Sequence, residues 1–114
     1  MRDDRERLLD ILEAIRQIEK YSIRGEEAFR SDELIQNWMT GHIQVIGEAA
    51  RGLPEEFRRH TPSVPWSDII GMRHVLVHHY FRIDLNRVWR VVSNDAPRLK
   101  EMILGLLEEL DGRI

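Results

Sequence analysis

The chain has 114 residues, 42% of them hydrophobic and 32% charged, with no cysteine and a net charge of −3. That length suits a single domain, residues 1–114, with one real core, and the absence of cysteine excludes disulfides, thiolate metal sites and cysteine nucleophiles. No apolar run approaches the roughly 20 residues that cross a bilayer, and the charged start MRDDRERLLD has no signal-like apolar stretch, so a cytoplasmic domain is expected.

The first predicted helix runs from about Asp4 to Ile23. Leu8, Ile11, Leu12, Ile15 and Ile18 recur at the spacing of one helix face, and Gly25 punctuates the end. A second spans about Ser31 to Arg51. Ser31 or Asp32 can cap it, and Leu34, Ile35, Trp38, Met39, His42, Val45, Ile46 and Ala49 form its apolar side. Gly52 and Pro54 then end it. The linker PEEFRRHTPSVP has room for one helical turn around Glu55–Arg59 and is otherwise irregular. A third helix is expected from Pro65 through WSDIIGMRHVLVHHYF to Phe81, after which Arg82–Asp84 turn the chain and Asp84 caps the fourth. The fourth carries Leu85, Val88, Trp89, Val92, Ala96, Leu99, Ile103, Leu106 and Leu110. This stripe keeps its phase across Pro97, so one long helix kinked near Asn94–Pro97 is expected. The sum is an all-α, up-and-down bundle of four main helices.

Charge is unevenly spread. Residues 58–90 hold six arginines against only Asp68 and Asp84, and four of the five histidines, whereas both flanking segments are net acidic. A cationic segment in an acidic chain is a candidate anion footprint, although arginines coating a helix would look the same.

The third helix is the unusual one. Arg73 falls in the middle of its apolar stripe, where a guanidinium is costly unless it is paired or faces an anion. Arg73 and Tyr80 lie in line about 10 Å apart on a helix, whereas Arg73 and His78 point about 140° apart. One straight helix therefore cannot aim Arg73 and His78 at one atom, and two copies facing each other could. Plainer readings stay open: Arg73 paired with Glu48, His78 as an ordinary polar residue, His42 as a core histidine, and Trp38, Trp66 and Trp89 as core aromatics. His74 and His78 are spaced for two metal positions, but no third ligand and no HExxH pattern accompany them.

The segment Arg73-His74-Val75-Leu76-Val77-His78-His79-Tyr80 reads Arg-x4-His-x-Tyr. It resembles the signature of HEPN-domain proteins, specifically the HepT-like family of small helical toxins. IGEAA at 46–50, VPW at 64–66, IIGMRHVLVHHYF at 69–81, ID at 83–84 and VW at 88–89 extend the likeness in order from the second helix into the fourth. The resemblance implies an all-α HEPN fold, a homodimer and a metal-independent endoribonuclease that needs no cofactor. It also implies a cognate minimal nucleotidyltransferase antitoxin that silences the toxin by transferring AMP to the motif tyrosine. Carried over, Arg73 and His78 are the catalytic pair and Tyr80 the modified residue, with Glu48, His74 and His79 as possible supporting groups. A non-catalytic HEPN adaptor that binds a nucleotide or the nucleotidyltransferase is the alternative, and a plain helical interaction domain the third.

Overall fold

The computed structural model describes residues 3–72, 77–78 and 82–112, without the side chains of 77 and 78. Its elements are α1 (Asp4–Ser22), α2 (Glu26–Ser31), α3 (Glu33–Gly52), α4 (Glu55–Arg59), α5 (Trp66–Gly71), β1 (Val77–His78), β2 (Arg82–Ile83), α6 (Leu85–Arg90), a π-helical turn (Val91–Asp95) and α7 (Ala96–Gly112). The fold is an all-α helical bundle whose β1–β2 pair is a minimal antiparallel ladder.

Capping chemistry sets the helix starts. The carboxylate of Asp3 accepts the Glu6 amide at 2.8 Å, that of Asp32 the Leu34 amide at 2.9 Å and that of Asp84 the Arg87 amide at 3.2 Å. Each satisfies a donor that the first helical turn leaves unpaired. Gly25 adopts φ 91°, a conformation that β-carbon sterics make costly for other residues, and so turns the chain from α1 into α2. Between Asp32 and Glu33, α3 then leaves α2 with no intervening loop residue beyond its cap.

The core lies between α1, α3 and the run from α6 to α7. Leu8, Ile11, Ile15 and Ile18 of α1 meet Ile35, Met39, Ile43 and Ile46 of α3, and Val88, Val92, Ala96, Leu99 and Ile103 close the third side. Phe29, from α2, is fully buried and packs on Trp89, ring centroids 5.3 Å apart. Polar ties span the bundle. The Trp38 indole N–H donates to the Gln17 carbonyl at 2.7 Å, Lys100 pairs with Glu19 at 2.9 Å, and Arg5 with Asp111 at 2.8 Å. The last pair joins the start of α1 to the end of α7, and it holds the exposed Asp111 carboxyl below its ordinary range through a hydrogen bond and charge from Arg5.

The irregularity expected before Pro97 is present as the π-helical turn. The helical path runs on from Leu85 to Gly112, and the Ala96 amide reaches back five residues to the Val91 carbonyl. Proline lacks an amide hydrogen and its ring crowds the carbonyl four residues earlier. A wider turn immediately before it relieves that crowding without ending the helix.

Several expectations need correction. Residues 26–31 form a helix that their charged sequence EEAFRS hides. Leu34 and Val45, expected on the apolar side, are 79% and 44% exposed, because each lies one position, about 100°, off the buried row of Ile35, Met39, Ile43 and Ile46. The helix expected from Pro65 to Phe81 begins after its cap Pro65 and ends at Gly71. Val77–His78 are extended and pair with Arg82–Ile83, where a turn was expected. Gly71 weakens helix there, and the segment 75–83, VLVHHYFRI, is rich in β-branched and aromatic residues that favour extended backbone.

Candidate functional site

The motif segment follows α5 in the chain, and α5 is itself anchored at both of its ends. Trp66, at the first turn of α5, is buried. Its indole N–H donates to the Thr61 hydroxyl at 2.9 Å, which itself donates to the Phe57 carbonyl at 3.0 Å. The Phe57 ring lies 6.4 Å from that of Trp66. The linker around α4 therefore grips the start of α5, while Ile69 seats its inner face in the core. Met72 continues the right-handed helical backbone and packs, half-buried, against the core.

Arg73, His74, His79 and Tyr80 lie outside the described residues. Of His78 the backbone is described: it sits on β1 opposite Arg82 of β2, with Val77 opposite Ile83. This placement removes the premise that Arg73 and His78 share one straight helix through Phe81, because the backbone at 77–78 is extended. Glu48 is exposed on α3 and is engaged in an interaction there; its relation to Arg73 also lies outside the described residues. His42 is half-buried, its ring 4.7 Å from that of Trp38. Burial pushes its pKa below the ordinary histidine value; Lys20 adds to that effect and Glu13 opposes it.

A cleft of about 390 Å³ opens beside Met72, between α5, α3 and the α6–α7 run. Ile46, Ile69, Met72, Leu99 and Met102 form its apolar floor, and Asp68 and Asp95 line it as well. Arg87, Arg90 and Arg98 contribute three guanidiniums, all on exposed residues. Arg87 is paired with Asp84 at 3.2 Å; Arg90 and Arg98 make no ion pair among the described residues. Arg98 lies outside the arginine-rich segment 58–90 and joins Arg87 and Arg90 in this cleft; positions 87, 90, 94 and 98 follow one helix face, the local pattern that points to it.

Among the described residues no three of His, Asp or Glu converge to hold a metal ion, and no helix is long and apolar enough to cross a membrane.

Comparison with known proteins places these features. The chain is 42% identical over 102 residues to the Methanocaldococcus jannaschii protein named "Gamma-glutamylcyclotransferase and putative RNase". That match covers 89% of this chain and 46% of the relative, so the chain spans about half of that longer protein. It is 36% identical over 100 residues to the "Probable ribonuclease HepT" of Thermococcus cleftensis, covering 87% of this chain and 91% of the relative. No solved structure gives a significant match. The family model described as "Ribonuclease HepT-like" matches residues 11–105, which takes in α1 from its second turn, the whole motif segment and most of α7. The chain belongs to the HepT-like ribonuclease family.

Proposed function

We propose that this chain is a metal-independent endoribonuclease, the toxin of a toxin–antitoxin pair, with Arg73 and His78 as its catalytic residues. The observation that supports the reading is that the family match covers residues 11–105, the stretch within which the sequence reads Arg73-x4-His78-x-Tyr80. The ribonuclease names of the relatives support the substrate class.

The chemistry suits these residue types. RNA carries its own nucleophile, the 2′-hydroxyl. A neutral imidazole takes the 2′-hydroxyl proton as the 2′-oxygen bonds to phosphorus, or the imidazolium gives a proton to the departing 5′-oxygen. The phosphorus–5′-oxygen bond breaks, leaving a 2′,3′-cyclic phosphate and a 5′-hydroxyl end. Charge that gathers on the phosphoryl oxygens suits a guanidinium, which presents two donors at once and stays cationic. The homodimer in this proposal rests on family resemblance, since the straight-helix argument for it no longer holds.

Tyr80 lies two residues beyond His78. AMP transferred there by a cognate nucleotidyltransferase would add bulk and negative charge beside the catalytic pair, which accounts for silencing. Digestion of RNA by the wild type, in EDTA, should yield cyclic-phosphate ends. Arg73→Ala and His78→Ala should each abolish it, and so should AMP on Tyr80. Cleavage that persists in both purified alanine variants would refute the assignment. RNA binding without cleavage by the wild type would point to the adaptor reading instead.

A further inference from the structure

We infer that the cleft beside Met72 is a binding track for single-stranded RNA flanking the scissile bond, with Arg90 and Arg98 holding backbone phosphates. The inference deepens the ribonuclease reading and rests on it. Three observations meet here. First, the cleft is lined by Met72, the residue that precedes Arg73 in the chain. Second, Arg87, Arg90 and Arg98 recur along one face of the α6–α7 run. With a rise of about 1.5 Å per residue they form a stripe about 16 Å long, suited to an extended polyanion rather than to one small anion. Arg87 is already engaged by Asp84, whereas Arg90 and Arg98 have no carboxylate partner among the described residues, so phosphates would not need to displace one.

Third, the floor is apolar, and the volume of about 390 Å³ lies in the usual range of ligand sites. Such a floor accepts the face of an unstacked base, which a duplex keeps covered. Asp68, on the α5 wall, and Asp95, on the α6–α7 run between Arg90 and Arg98, repel phosphate but can accept a hydrogen bond from the amino group of a base. Three arginines against two aspartates leave the lining cationic, which suits phosphate along the arginine stripe and a base against the floor. Overall acidity does not oppose this, because the relevant field is local.

The test uses the intact chain and a 2′-O-methyl single-stranded oligoribonucleotide, which lacks the attacking hydroxyl and so reports binding without cleavage. Arg90→Ala/Arg98→Ala should raise the Kd about tenfold at low salt, read by fluorescence anisotropy. The dependence of log Kd on log salt should flatten by about 1.4, since each lost single-strand phosphate contact removes about 0.7. Alanine at exposed helical positions preserves the fold, and circular dichroism checks it. Arg51→Ala, on an exposed arginine of α3 outside the cleft lining, should leave Kd unchanged. An unchanged Kd and slope in the double variant, or no binding of the probe by the wild type, overturns the track. Cleavage of unmodified RNA is scored separately: a wild type that binds through these arginines yet never cleaves would sink the nuclease reading and leave the track standing.

Discussion

Phe29→Ala tests how this bundle holds α2, an element its sequence hardly announces. The helix has six residues, too few to be stable by propensity alone, so docking must hold it. Phe29 is 1% exposed and its ring stacks on Trp89 at 5.3 Å. A phenylalanine buries about 150–250 Å², which at about 25 cal/mol per Å² is an upper bound of about 4–6 kcal/mol. Measured Phe→Ala losses in cores run about 3–5 kcal/mol. Because α2 lies at the margin of the bundle and can settle into the vacancy, the lower end applies, about 3 kcal/mol. For a domain of this size each kcal/mol shifts Tm by about 4 °C, so Tm should fall by about 12 °C. Phe29→Leu, which keeps most of the volume, should cost about 1 kcal/mol. Urea titration followed by circular dichroism gives both numbers. An alanine variant within 1 kcal/mol of wild type, with an unchanged m-value, would show that Phe29 does not dock α2.

Two other outcomes follow from the same contacts. His42 has a folded pKa below its ordinary value because burial disfavours the charged ring. The unfolded chain then binds the proton more readily, so stability is full above the ordinary value of about 6.5 and falls as the pH drops from there towards the lowered pKa. The urea midpoint should therefore decline less between pH 7.5 and pH 5 in His42→Phe than in wild type; identical declines would contradict the assignment. Trp38→Phe keeps a ring against Tyr21 but removes the 2.7 Å bond to the Gln17 carbonyl. It should cost about 0.5–1.5 kcal/mol, and a thermally unchanged variant would show that the bond does not tie α3 to α1.

The long helices were legible because amphipathic periodicity needs no partner to be read. Every apolar position named for α1 is buried, and the stripe read across Pro97 is the one that packs. Asp32 and Asp84 could be read as caps for the same local reason. Val77–His78 differ from the expected helix because a short apolar run fits a period of 3.6 and extended backbone almost equally well. At Val77–His78 the choice is made by pairing with Arg82–Ile83, a contact between segments. Of the candidate site, the motif residues were named from resemblance, whereas the cleft could not be, because its walls come from α3, α5 and α7, far apart in the chain.

The sequence by itself determined the helical class, the faces of the long helices and the caps Asp32 and Asp84, all of which are set by residues within a few positions of one another. The tertiary structure alone decided that α2 exists, that Val77–His78 are extended, and that Arg90 and Arg98 share a cleft with Met72. Those outcomes depend on which surfaces meet, and burial and pairing across long sequence separations outweigh the small local preferences that a sequence displays.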